Sequence, residues 1–70
     1  MRINKVRVQL RKGGEWETAL LVIQEDPTFK EGHTPGEHWW FITDKEVFYS
    51  KNGVWDWHEV DGQYGFSLGT

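Results

Sequence analysis

The feature that most constrains this fold is an alternation of apolar and polar residues with a period of two, interrupted by glycine-rich turns. In residues 3–11, apolar Val6, Val8 and Leu10 alternate with basic and amide side chains. Such alternation is typical of a strand with one buried face. Apolar residues nowhere recur at helical spacing for three turns. The sequence therefore predicts an all-β chain, with more than half of its residues in strands and no helix longer than one turn.

Four turn signals divide the chain into five or six strands. Paired glycines and Asn-Gly or Asp-Gly dipeptides supply the positive φ angles that tight hairpins need. The turns are expected at residues 12–15, 44–45, 51–53 and 61–62. The strands are expected at residues 3–11, 16–24, 38–43, 46–50, 54–60 and 63–68.

Residues 25–37 are expected to form an irregular loop, because they contain two prolines and two glycines. A loop this long in so small a domain is often functional. Phe29 is expected to anchor the loop to the core. Phe29 and His33 are therefore candidate binding residues.

Seventy residues make one domain, residues 1–70, because a split would leave two cores too small to be stable. Short antiparallel strands joined by tight turns form a meander. A meander this small closes into a barrel or a strongly curled sheet. An SH3-like small barrel is the leading architecture, and this fold-level analogy says little about function.

Reactive sites have little support in the sequence. The chain has no cysteine, which excludes disulfides, thiolate nucleophiles and thiolate metal ligands. It contains neither a Gly-x-Ser-x-Gly motif nor a phosphate-binding loop. The histidines His33, His38 and His58 fall in a loop and on strands that are not expected to be neighbours. We therefore expect no enzyme, no cofactor and no metal site.

Charge is distributed unevenly along the chain. The first twelve residues carry a charge of +5 and the remainder −8, which together give the net charge of −3. Arg7 and Arg11 lie on one face of the first strand and are candidate contacts for phosphate or for an acidic partner. The alternative interpretation, which we favour, is cross-strand pairing with Glu15, Glu17 and Trp16.

The five tryptophans are the most informative residues. Trp39 and Trp40 are adjacent on a strand and must point to opposite faces, whereas Trp55 and Trp57 share a face. An interior of this size would be crowded by all of them, so we expect one or two to be exposed. Exposed indoles mark a partner surface or a stacking site. The alternative is that the long loop covers them.

These observations favour a small protein-binding module. It would act as an inhibitor or adaptor, and the inhibitors that phages carry against bacterial defence enzymes are proteins of this type. The rival hypothesis is a nucleotide or small-anion binder at a subunit interface, in which indoles stack a base and Arg7, Arg11 or Lys12 holds phosphate. A purely structural oligomer subunit is a third possibility.

Self-association is expected as well. Segments 19–23 and 39–42 are apolar on both faces, in a chain too short to cover them all, so a homodimer is favoured. No signal peptide is expected, and the sequence contains no apolar run long enough to span a membrane. The expected location is the cytoplasm, and no membrane contact is expected.

Overall fold

Six strands and one short 3₁₀ helix make up the described part of the chain. The computed structural model describes residues 1–31, 34–51 and 57–69. The strands cover more than half of the chain, and the longest helical element is the four-residue 3₁₀ turn, so the all-β prediction is confirmed. The elements are β1 (Arg2–Gln9), β2 (Trp16–Glu31), β3 (Thr34–Ile42), β4 (Val47–Lys51), β5 (His58–Val60), β6 (Gln63–Gly65) and the 3₁₀ turn Phe66–Gly69.

The strands form one sheet in the order β4-β3-β2-β1-β6-β5. Neighbouring strands are antiparallel except β1 and β6, which run parallel. The expectation of a purely antiparallel meander is therefore wrong at this pair. Because β2 occupies one edge of β1, the β5–β6 hairpin adds its second strand to the other edge. There the backbone N–H of Arg7 donates to the Gly62 carbonyl at 3.1 Å.

The sheet curls but does not close in the described residues. Its two end strands are β4 and β5, and no pairing between them is seen there. The SH3-like barrel is thus not confirmed. Tyr64 on β6 nevertheless lies three strands from β3 and packs its ring edge against Phe41, with centroids 5.6 Å apart. That contact requires strong curvature of the sheet, which brings its two halves together over one face.

The core lies on the inner, concave face of this curl. Alternate residues of β1 and β2 point into it, among them Val8 and Leu21, which are fully buried. Trp57 covers the core, packing against Phe41 at 5.0 Å and Phe48 at 5.2 Å between ring centroids. The buried apolar residues are Val6, Val8, Leu10, Ala19, Leu21, Ile23, Phe41 and Trp57.

The segment expected to be an irregular loop is mostly strand, so that prediction is wrong. β2 continues to Glu31 and β3 begins at Thr34, with a register shift between Asp26 and Lys30. Pro27 falls inside this bulge and has no ladder partner. Beyond the last pairs with β1 and β4 the two strands form a two-stranded arm, whose outer edges pair with no other strand among the described residues. Proline is tolerated in bulges and at open edges because it gives up no sheet hydrogen bond there.

Three of the four predicted turns are confirmed. The Gly14 N–H donates to the Arg11 carbonyl at 2.8 Å, and residues 44–45 form a turn closed by a 2.9 Å bond from the Thr43 N–H to the Glu46 carbonyl. Asp61 and Gly62 have φ angles of 50° and 76°, the type I′ geometry expected of Asp-Gly. The turn at 51–53 falls largely on residues 52–56, outside the described residues.

The last predicted strand ends early, at Gly65, and continues as the 3₁₀ turn. Gly65 is buried beside Trp16, and a Cβ atom there would lie 2.5 Å from Trp16 Cη2 and 2.9 Å from Gln9 Cβ. The buried amide of Gln9 holds this junction. Its Nε2 donates to the Gly14 carbonyl at 3.2 Å, and its Oε1 accepts from the Ser67 N–H at 3.1 Å.

Replacing Gly65 by alanine is expected to lower the free energy of unfolding by about 2 kcal/mol, because the methyl group overpacks this junction. Chemical denaturation measures the change. In a Trp16→Leu background the same substitution should cost less, since the nearest atom has been removed. A Gly65→Ala variant within about 0.5 kcal/mol of wild type, the range of neutral surface changes, would contradict the packing described here.

Candidate binding face

Trp57 belongs to the core rather than to the surface. It is only 7 % exposed and contacts the rings of Phe41, Phe48 and Phe66. The sequence left open whether Trp57 is core or surface and made it a candidate partner contact. Its burial removes it from the candidate binding set.

Trp39 and Trp40 point to opposite faces of β3, as predicted. Trp39 is half-buried on the inner side, where it packs edge-on against Tyr64 at 5.9 Å and donates from Nε1 to Glu37 Oε1 at 3.2 Å. Trp40 is half-buried on the outer side, with Tyr49 at 5.5 Å between ring centroids. Of the predicted tryptophans that the structure describes, Trp40 is therefore the one on the outside of the sheet.

The other predicted residues of the long segment and of strand five fall outside the described part. Trp55 and His33 lie outside the described residues. Phe29 lies on β2, but its side chain is outside the described part as well. Their candidate roles stay predictions.

The outer side of β1–β4 carries an unusual amount of apolar surface, which we call the outer face. The pairing places Ile3 beside Val22, Val22 beside Trp40 and Trp40 beside Tyr49 in one row across four strands. Leu20, Ile42 and Val47 form the next row. The outer face consists of Ile3, Leu20, Val22, Trp40, Ile42, Val47 and Tyr49.

A solvent-facing antiparallel sheet normally presents polar residues on that side. Five residues of the outer face are instead substantially exposed, and their exposed fractions add up to about two and a half whole residues. At roughly 200 Å² per residue this amounts to roughly 500 Å² of accessible surface. That value includes backbone and hydroxyl surface and is an upper limit on the apolar area. It lies within the range of the largest apolar patch on a typical monomer, and such patches are often functional.

The predicted basic contacts are separated from each other. Arg11 reaches across to Glu46, with Nη2 to Oε1 at 2.8 Å and Nη1 to Oε2 at 3.2 Å, and this hydrogen bonding lowers the pKa of the Glu46 carboxyl. Arg7 pairs with Thr18 and donates to its Oγ1 at 3.3 Å. The expected cross-strand pairing with Glu15 or Glu17 is therefore not how the arginines bond.

A chain of three side chains links the arm to the outer face. His38 Nε2 lies 2.8 Å from Asp26 Oδ2, and His38 Nδ1 lies 2.6 Å from the Tyr49 hydroxyl. Asp26 Oδ1 accepts two more bonds from Thr28, from the backbone N–H at 3.0 Å and the hydroxyl at 2.6 Å. These bonds, those from Thr28 first, lower the pKa of Asp26 to about 2.

Sequence reasoning missed Asp26 and Tyr49, although half of the signal was present. A two-residue turn at 44–45 fixes the β3–β4 register and places Trp40 opposite Tyr49, with His38 on the same face. Asp26 has no such signal, because the sequence predicts a loop over residues 25–37. In the structure Asp26 is still in the ladder, opposite Gly36, and the β2–β3 pairing puts it on the same face as His38. The three side chains and Trp40 line one open depression, together with Gln24, Glu25 and Pro27.

His38 on β3 and His58 on β5 lie on strands that are not neighbours, and no group of three metal-ligating side chains occurs among the described residues. Within the same residues, no helix has the length and apolar character needed to cross a membrane.

Comparisons of the chain with family models, with curated proteins and with solved structures give no match. The outer face and the hydrogen-bonded side chains of Asp26, His38 and Tyr49 are therefore the features of this chain that bear on its function.

In an NMR titration of the side-chain carboxyl groups, Asp26 should titrate near pH 2. A Thr28→Val variant should raise this pKa, because it removes the hydroxyl donor and leaves the backbone N–H in place. A Thr18→Val variant is the matched control and should leave the Asp26 pKa unchanged. Because the folded pKa lies below the ordinary aspartate value of 3.8, Asp26 stabilises the fold above about pH 4 and loses this contribution as the pH falls towards 2. Titration of Asp26 near pH 4 in the wild-type protein would contradict the geometry.

Proposed function

We propose that this chain is a small, non-catalytic protein-binding module that uses its outer face as the contact surface. The observation that carries the proposal is the apolar surface across four paired strands, on the side of the sheet opposite the core. The module acts as an inhibitor or adaptor, by occluding or bridging its partner. Inhibitors of the kind that phages direct against bacterial defence enzymes are one class with this build, and the cytosol is the proposed location.

The shape of the surface supports a protein partner over a small ligand. Small-molecule sites are concave and enclose most of the ligand. The outer face instead extends over four neighbouring strands, with the Trp40 indole on β3 and the Tyr49 phenol on the end strand β4. Tryptophan and tyrosine are enriched at the centres of protein interfaces, where they contribute most of the binding energy.

The rival proposal, a nucleotide or small-anion binder, has less support. It needs a basic side chain beside an exposed indole. Arg11 is hydrogen-bonded to Glu46. Arg7 is hydrogen-bonded to Thr18 and is separated along β1 by Lys5 from Ile3, the β1 residue of the row that contains Trp40. The depression beside Trp40 contains the Asp26 carboxylate, which is bonded to His38 and disfavours phosphate.

Lysine substitutions on the outer face should abolish partner binding and leave the fold intact. Val47 on β4 and Val60 on β5 form a matched pair, since both are exposed valines on the two end strands of the sheet. We expect Val47→Lys and Leu20→Lys to melt near wild type and to lose the partner, and Val60→Lys to keep it. The test is capture from the source-cell lysate with mass spectrometry, followed by titration calorimetry with the purified partner.

The outcome that contradicts the proposal is equal partner capture by Val47→Lys, Leu20→Lys and Val60→Lys. Trp57→Ala provides the contrast, because truncation of a core indole should cost about 3–5 kcal/mol of folding stability. Trp40→Ala should instead fold normally and weaken binding by about 2 kcal/mol or more.

Self-association through the same face is expected at high protein concentration. Two outer faces packed together would bury roughly 1,000 Å², the size at which specific interfaces begin. Sedimentation equilibrium should show a weak dimer in the high micromolar range, which Leu20→Lys shifts to monomer. Wild-type protein that stays monomeric throughout that range would contradict the homodimer and leave the foreign partner as the occupant.

A further inference from the structure

Tyr49 occupies the end of a hydrogen-bonded chain whose proton positions can be assigned from chemistry. Asp26 is ionised at neutral pH and can only accept hydrogen bonds, so His38 Nε2, at 2.8 Å, must carry a hydrogen. In the neutral ring Nδ1 is then an acceptor. The Tyr49 hydroxyl, 2.6 Å away, donates to it. The phenolic proton therefore points at the histidine, and the oxygen lone pairs are left for other partners.

This order of groups is the one that activates hydroxyl nucleophiles. A carboxylate fixes the tautomer of an imidazole, and the imidazole takes the proton of the hydroxyl as the oxygen attacks. Asp26 is itself held by the backbone N–H and hydroxyl of Thr28, so the carboxylate is positioned from both sides. Tyr49 is 47 % exposed and lines the open depression, from which a reactant can approach it.

We propose that Tyr49 is a covalent modification site, with its hydroxyl activated by His38, that takes an acyl group from an activated acyl donor. The Tyr49 oxygen attacks the acyl carbon, and a phenyl ester bond forms as the bond to the leaving group breaks. The phenolic proton passes to His38 Nδ1 and from there to the departing group. Asp26 is a positioning residue that acts through His38. The inference stands on this geometry and does not depend on the proposed function.

The depression around Tyr49 selects the class of donor. The carboxylate of Asp26 and the ring of Trp40 both lie beside His38, and no arginine or lysine is among the described residues that line the depression. The ionised Asp26 carboxylate repels phosphoryl and nucleotidyl donors, which are anionic. A neutral acyl donor meets no such repulsion, and an apolar or aromatic acyl chain can pack against the Trp40 ring.

Tyr64 provides an internal contrast. It is half-buried among the rings of Trp39 and Phe41, and burial raises the pKa of its hydroxyl. No imidazole lies against it among the described contacts. Tyr64 should therefore be acylated slowly. An increase in its acylation rate in a variant would show that the substitution has opened the fold.

The test is acetylation of the whole protein by N-acetylimidazole near pH 7.5, followed by intact-mass and tandem mass spectrometry. Tyr49 should be acetylated faster than free N-acetyltyrosine amide under the same conditions, although it is only partly exposed. His38→Gln should lower the rate of Tyr49 acetylation by roughly tenfold or more. A general base in an enclosed active site contributes roughly a hundredfold or more, and the smaller factor here is expected because this site is open to water. Tyr49→Phe should remove the adduct.

The role of Asp26 has its own readout. Asp26→Asn should reverse the tautomer of His38, because the asparagine amide then donates to Nε2 and Nδ1 carries the hydrogen. Nitrogen-15 NMR of His38 reports this tautomer directly, and Tyr49 acetylation should fall with it. Asp26→Glu should restore both the Nε2–H tautomer and part of the rate.

Two results would overturn the proposal. One is wild-type Tyr49 reacting no faster than the free tyrosine amide, a comparison that needs no variant to fold. The other is an unchanged Tyr49 rate in His38→Gln and Asp26→Asn while Tyr64 stays slow, which would show that exposure alone sets the reactivity.

Discussion

The packing of Trp57 on Phe41 is the contact on which the rest of this structure depends. The two rings meet edge to face at 5.0 Å, and Tyr64 and Phe66 extend the same aromatic cluster. A chain of 70 residues without disulfides has a small core, and large aromatic side chains supply most of what it can bury. By covering the inner face, this cluster fixes the direction in which the sheet curls and so determines which side becomes the outer face.

The exposed apolar surface of the outer face is the consequence of the direction in which the sheet curls. β2 and β3 are apolar on both sides, and the aromatic cluster covers only one of them. Within the described residues, nothing packs over Leu20, Val47 or Ile3, which remain substantially exposed. At the end of this surface nearest the arm, the β2–β3 pairing brings Asp26 to His38. The curvature and the strand pairing thus place an apolar surface and the Tyr49 hydroxyl side by side.

Much of the local structure could be predicted from the sequence, and the long-range pairing could not. Alternation and turn chemistry locate the strands, and Asp61-Gly62 adopts the expected type I′ turn. Tertiary contacts determine the rest. The parallel β1–β6 pair joins distant segments, and the buried position of Trp57 depends on the curl. Two prolines and two glycines predict a loop over residues 25–37, whereas the structure accommodates Pro27 in a bulge between two paired strands.

The most direct test of the account is methyl NMR with a soluble paramagnetic agent, on dilute protein and again after addition of the partner or at high protein concentration. The account predicts strong broadening for the methyl groups of Leu20 and Val47 in dilute protein, relieved on association, and none in either state for Leu21 and Val8. Broadening of Leu20 and Val47 that persists unchanged in the complex would contradict it, as would protection of both residues in the dilute monomer.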